Sequence, residues 1–153
     1  MNPERLELAD RNLVELRATD GTRFLLHRLR PGVLLAQIIG YDRGALGRAP
    51  FDEIERQLAR PQPVELFFDL RDAAGAVGDV RHAWTEWFQR NRPYLARVTV
   101  LASSRFVNLT LEIAKLFSRT GELIQIYSDQ LLFEQAMAVA VGAPVTLTPP
   151  RLS

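Results

Sequence analysis

The chain of 153 residues contains no cysteine. That excludes disulfide frameworks, thiolate catalysis and Cys-based zinc sites. Its nineteen basic residues include one lysine, Lys115, against eighteen acidic ones, so the net charge is +1. Such a balance exerts no long-range pull on nucleic acid or anionic lipid, and neither partner is expected. No apolar run reaches the roughly 18 residues that span a bilayer. The first residues, Met1-Asn2-Pro3-Glu4-Arg5-Leu6-Glu7, lack a hydrophobic signal core, so the expected setting is cytoplasmic. There are two histidines, His27 and His82. They lie far apart, without the i, i+4 spacing that places two ligands on one helix face, so no metal site is expected.

Phosphate-binding and nucleophile motifs are also missing. Gly75-Ala76-Val77-Gly78 is neither a dinucleotide fingerprint nor a P-loop, and there is no nucleophile elbow. Ser103-Ser104 follows a strand-like run but has no histidine placed as its base, which makes helix capping its expected role. Cofactors are therefore expected to be none.

What is present is a sequence of short apolar periods. Leu13–Arg17 alternates, Asp20-Gly21 signals a hairpin turn, and Phe24–Leu29 reads as the return strand. Val33–Ile39 is almost continuously apolar, broken by Gln37, as in a buried strand. Phe51–Arg60 has a helical stripe of Phe51, Ile54 and Leu58. Val64–Leu70 is the clearest strand. The loop Arg71–Asp79 is rich in small residues, and Asp79 is positioned to cap a helix whose inner face is Val80, Ala83, Trp84, Trp87 and Phe88. Arg97–Ala102 and Leu123–Tyr127 read as strands, and Ser128-Asp129 caps a helix from Gln130 to Val141 that Gly142 ends. Alternating helices and strands from residue 50 imply right-handed crossovers. The expected fold is α/β: a mixed, mostly parallel sheet with an N-terminal hairpin and about four helices. One domain spans 1–142, followed by an extended or disordered tail, 143–153.

Arg105–Arg119 alternates over its first half yet is long enough for a helix, which is the reading adopted. Its polar arc is narrow, and Phe106, Leu109, Ile113, Leu116 and Phe117 cover much of the remainder. Such a helix needs cover on more than one side: neighbouring elements, a second copy of the chain, or a lipid-like ligand.

The order of these elements, with Val33–Ile39, Glu65–Leu70, Tyr94–Val100, Ile124–Ser128 and Leu131–Ala136, resembles the STAS domains of anti-sigma-factor antagonists, in particular the divergent SpoIIAA-like branch. The resemblance implies a small mixed sheet and a module that binds partner proteins. Members of that family carry Asp-Ser-Ser/Thr-Gly before a helix, where a serine is phosphorylated. The nearest match here is Asp72-Ala73-Ala74-Gly75, and no hydroxyl occurs from Asp69 to Asp79, so phosphoregulation there is not expected. The expected partner surface is Asp69, Asp72, Gly75, Gly78, Asp79 and His82, the partner being a protein. Homodimerisation through the Phe106–Phe117 surface is a further expectation. Two alternatives carry less support: a small-molecule or lipid carrier with an apolar pocket, and an enzyme using Asp69 or Asp79.

Overall fold

Eight strands and three α-helices form among the described residues of the computed structural model, 2–102 and 124–148. In chain order they are β1 (Glu4–Leu8), β2 (Leu13–Arg17), β3 (Arg23–Arg30), β4 (Val33–Asp42), α1 (Ala49–Leu58), β5 (Val64–Asp69), β6 (Ala73–Ala76), α2 (Gly78–Asn91), β7 (Leu95–Leu101), β8 (Ile124–Tyr127) and α3 (Gln130–Val141). The sheet order is β1-β2-β3-β4-β5-β7-β8, with β6 added to the far end of β4. Pairing is antiparallel from β1 to β4 and parallel from β4 onward. The expected mixed α/β sheet with its N-terminal hairpin is therefore present.

Two-residue alternation sorts the central strands between the faces of this sheet. One face carries Phe24, Leu26, Leu34, Ala36, Leu66, Phe68, Val98 and Val100, and α1 and α2 cover it. The helices supply Phe51, Ile54 and Leu58 from α1 and Trp84, Trp87 and Phe88 from α2. Phe51 meets Trp84 edge-on with ring centroids 4.5 Å apart, and Trp87 meets Phe88 at 5.3 Å. Each such fully buried side chain contributes about 1.5–3 kcal/mol. The indole N–H of Trp87, too polar to bury unpaired, donates to Glu55 Oε1 at 2.9 Å.

The other face carries Val33, Leu35, Phe67 and Leu101, which pack against Phe133 and Met137 of α3 and against Leu147. Asp129 caps α3 by accepting from the amides of Leu131 and Leu132, and Gly142 closes the helix in the left-handed conformation. After it, Ala143–Thr148 has no helix or strand, but Leu147 is buried and Val145 packs beside it. As far as Thr148 this segment is a strap seated on the sheet.

Two local expectations are corrected. The loop after β5 contains β6, which pairs in parallel with Gly40–Asp42. Helix α2 begins at Gly78 with Val77 at the cap position and no side-chain cap. Asp79 lies inside the first turn, where its charge suits the helix dipole without bonding to it. Beyond the expected elements, β1 forms an outer strand, and all five of its residues are exposed. The surface of Phe106, Leu109, Ile113, Leu116 and Phe117 lies outside the described residues, as do Ser103 and Ser104.

Candidate functional site

Asp69 ends β5, directly opposite Gln37 of β4 in the parallel ladder. Both side chains share the face that α3 covers, and Asp69 is only 2% exposed. A carboxylate there must be paired. Arg71, two residues on, supplies the partner: its Nε donates to Oδ1 at 2.9 Å and its Nη2 to Oδ2 at 2.8 Å, a planar fork on a planar acceptor. The Arg71 amide donates to Oδ1 as well, at 3.1 Å. Burial works against the Arg71 charge, but the hydrogen bonds and field of Asp69 outweigh it, and the Arg71 pKa is raised.

The pair is the centre of a longer polar row. Gln37 Nε2 donates to Asp69 Oδ2 at 2.9 Å. A carboxylate can only accept, so Gln37 must face it with its amide nitrogen. That leaves Gln37 Oε1 toward His27, 2.7 Å from Nε2, and His27 therefore carries its proton on Nε2. Burial pushes the His27 pKa down, against smaller opposing effects of Gln37 and Asp69. On the other side, Arg71 Nη1 donates to Gln130 Oε1 at 2.9 Å, and Gln130 Nε2 donates to Glu134 Oε2 at 3.4 Å. The row runs from β3 across β4 and β5 into α3.

The remaining expected residues lie along the connection to α2. Asp72 is half-buried, and its pKa is raised by burial and by the neighbouring Asp69 carboxylate, with Arg71 opposing. Its carbonyl accepts from the Gly40 amide at 3.1 Å. Gly75 sits in β6 at φ 140°, and a Cβ there would lie 2.8 Å from Cε2 of Tyr41. Only glycine lets the Tyr41 ring lie against this strand. Gly78 and Asp79 are exposed at the start of α2. His82 is exposed one turn on and faces Glu86 at 3.2 Å.

The structure thus separates the expected set. Asp72, Gly75, Gly78, Asp79 and His82 follow one another along β6 and the first turns of α2. Asp69 turns to the opposite side of the sheet, toward α3. Asp69 and Asp79, the acids of the enzyme alternative, consequently point to different sides: one is locked to Arg71, the other is in solvent. Among the described residues, no three His, Cys, Asp or Glu side chains gather to hold a metal ion.

Sequence reasoning missed three contributors. Tyr41, on the extension of β4, is 42% exposed, with the Arg43 guanidinium carbon 5.2 Å from its ring centre. Asp42 beside it is buried and accepts from the Gly44 amide at 2.8 Å; burial, together with the charge of Asp20, raises its pKa. Arg71 looked like an ordinary loop arginine. The available signal was the polar residue at one parity in each of three apolar strands: His27, Gln37 and Asp69.

No protein-family model and no curated protein matches the chain. Among solved structures it is similar to the crystal structure of an uncharacterized protein from the DUF3478 family with a SpoIIAA-like fold, from Shewanella loihica PV-4. That similarity has a TM-score of 0.54 at 9% identity and covers 88% of this chain and 91% of the other. At such identity the likeness concerns architecture: the chain has the SpoIIAA-like fold that its strands and helices resemble in sequence.

Proposed function

We propose that this chain is a non-catalytic module of the STAS kind that binds a partner protein in bacterial signalling, in a cytoplasmic setting. The contact surface is the end of the sheet where β4 and β6 meet, continued along the first turns of α2. The observation that carries the reading is the Tyr41 platform. A large, half-exposed aromatic ring lies against the backbone of Gly75 with an arginine over it, held in place before any partner arrives. Tyrosine and arginine are among the residues enriched at energetic centres of interfaces, and a ring already ordered loses little entropy on binding. Asp79 and His82, exposed on the first turns of α2, supply the polar part of the surface. Asp69, bound to Arg71 on the face that α3 covers, is not part of this surface. No described helix is long and apolar enough to cross a membrane.

The test is site-specific photo-cross-linking in cells. A photoreactive phenylalanine is placed at position 41 and, as a control, at position 94. Tyr94 is also exposed but lies in the turn before β7, at the opposite end of the parallel strands. A protein adduct from position 41 and not from 94 is expected. No adduct at 41, or equal capture at both, rejects the surface.

A further inference from the structure

The strap Ala143–Thr148 sits on the sheet in a manner unlike the rest of the chain. Among the described residues it makes no backbone-to-backbone hydrogen bond. Its polar attachments are two side chains. The Leu147 amide donates to Glu134 Oε2 at 2.6 Å, and the Thr148 carbonyl accepts from Arg71 Nη2 at 2.8 Å. Its apolar attachments are Val145 and Leu147, alternate residues packed in the cluster of Val33, Leu35 and Phe133.

The receiving side is held together without the strap. Arg71 is forked onto Asp69 and bonded to Gln130, and Gln130 reaches Glu134. Removing the strap would leave both anchoring groups in place. What remains is a groove with an apolar floor, a carboxyl group set to accept one backbone N–H, and a guanidinium set to hold the next residue's carbonyl. Those groups read an extended main chain, and the floor reads two side chains spaced by two, as in strand-like peptide recognition.

From this we infer that the groove between α3 and the sheet is a docking site for an extended segment of a partner protein. The segment carries apolar side chains at alternate positions, and residues 143–148 occupy the groove as an internal competitor. The strap supplies the chemistry of the occupant: apolar, extended, and without charge at the two positions that pack on the floor. Tethering gives the strap an effective concentration of order mM. A free segment of equal intrinsic affinity therefore loses to it unless the strap is weakened or the segment contributes further contacts. The groove lies on the face opposite the packing of α2, and its test does not depend on the Tyr41 surface.

The probe is a fluorescein-labelled peptide with the sequence of residues 143–148, added to the full chain and followed by anisotropy. Leu147→Asp weakens the strap and leaves every groove residue unchanged. The variant is expected to bind at least about tenfold more tightly than the unaltered chain. Saturation should shift the amide resonances of Val33, Leu35 and Glu134. No binding by a folded variant overturns the inference. The unaltered chain provides a second measurement: the Leu147 amide should exchange with deuterium about a hundredfold or more faster than that of Leu66 in β5, through local opening. Equal protection of the two amides would make the strap an integral part of the core and overturn the inference. A concentration-dependent dimer that Leu147→Asp abolishes would seat a second copy in the groove and overturn the partner assigned here.

Discussion

Arg71 holds the buried carboxylate of Asp69 with both arms of its guanidinium, two residues along the same chain. The pair closes the end of β5 and at the same time reaches α3 and the strap. Because both groups are nearly excluded from water, losing one is costlier than losing both.

Arg71→Ala should therefore destabilise the fold by about 3–5 kcal/mol, since it strands a buried charge. Combining Arg71→Met with Asp69→Asn, which still offers an acceptor to Gln37, should recover most of that loss. Urea unfolding of the two variants checks the order. A double variant no more stable than Arg71→Ala would show that the ion pair itself stabilises the fold.

Gly75→Ala should cost about 1–3 kcal/mol, from the disfavoured backbone and the encounter with the Tyr41 ring. Tyr41→Ala in the same chain removes the encounter but leaves the backbone strain. A double-mutant cycle should return a coupling of roughly 0.5–3 kcal/mol between the two positions. A coupling near zero would show that the ring moves aside freely and that no rigid platform exists.

His27 should make the fold sensitive to mild acid. Its pKa is lowered in the folded state, so below the unfolded-state value near 6.5 the unfolded chain binds the additional proton. Stability contributed by neutral His27 is present above that value and is lost progressively as pH falls from there toward the folded-state pKa. His27→Gln should flatten the dependence in that window. Denaturant midpoints between neutral and mildly acidic pH, taken for both chains, provide the measurement.

Asp42 should behave in the opposite sense. Burial and Asp20 raise its pKa, so the folded state is penalised when the carboxyl is ionised, and the penalty disappears as pH falls below the ordinary aspartate range. Asp42→Asn keeps an oxygen for the Gly44 amide and removes the charge. It should raise the unfolding midpoint at neutral pH and lose that advantage in acid. A variant less stable than the parent at neutral pH would refute the assignment.

Most of the scaffold was legible because it follows from periodicity. The stripe Val80, Ala83, Trp84, Trp87 and Phe88 buries as its spacing implies, and Asp129 and Gly142 bound α3 as their chemistry implies. Strand β6 was not legible. Its residues, Ala73-Ala74-Gly75-Ala76, have no intrinsic preference for a strand and form one because the end of β4 offers free backbone groups beside them. Strand β1 buries nothing, so no apolar pattern had to announce it, although Leu6 and Leu8 do alternate with charge. The polar row was the largest omission. Gln37 looked like an interruption of a buried strand, and its role depends on Asp69 being its in-register neighbour across a parallel pair. Register of that kind is a long-range property, and local spacing does not encode it. Asp79 illustrates the reverse case: its residue type suits a cap, but the helix starts two residues earlier than that role requires, and the side chain is left in solvent.

Both tryptophans of the chain, Trp84 and Trp87, belong to α2 and are buried in one aromatic cluster with Phe51 and Phe88. Intrinsic fluorescence therefore watches a single side of the sheet. An emission shift will register loss of the α1–α2 layer, while departure of the strap from the other side should leave the spectrum dark to it. Two optical probes that disagree in this protein, tryptophan emission and a label near Leu147, would mark two separable events and not a failure of either instrument.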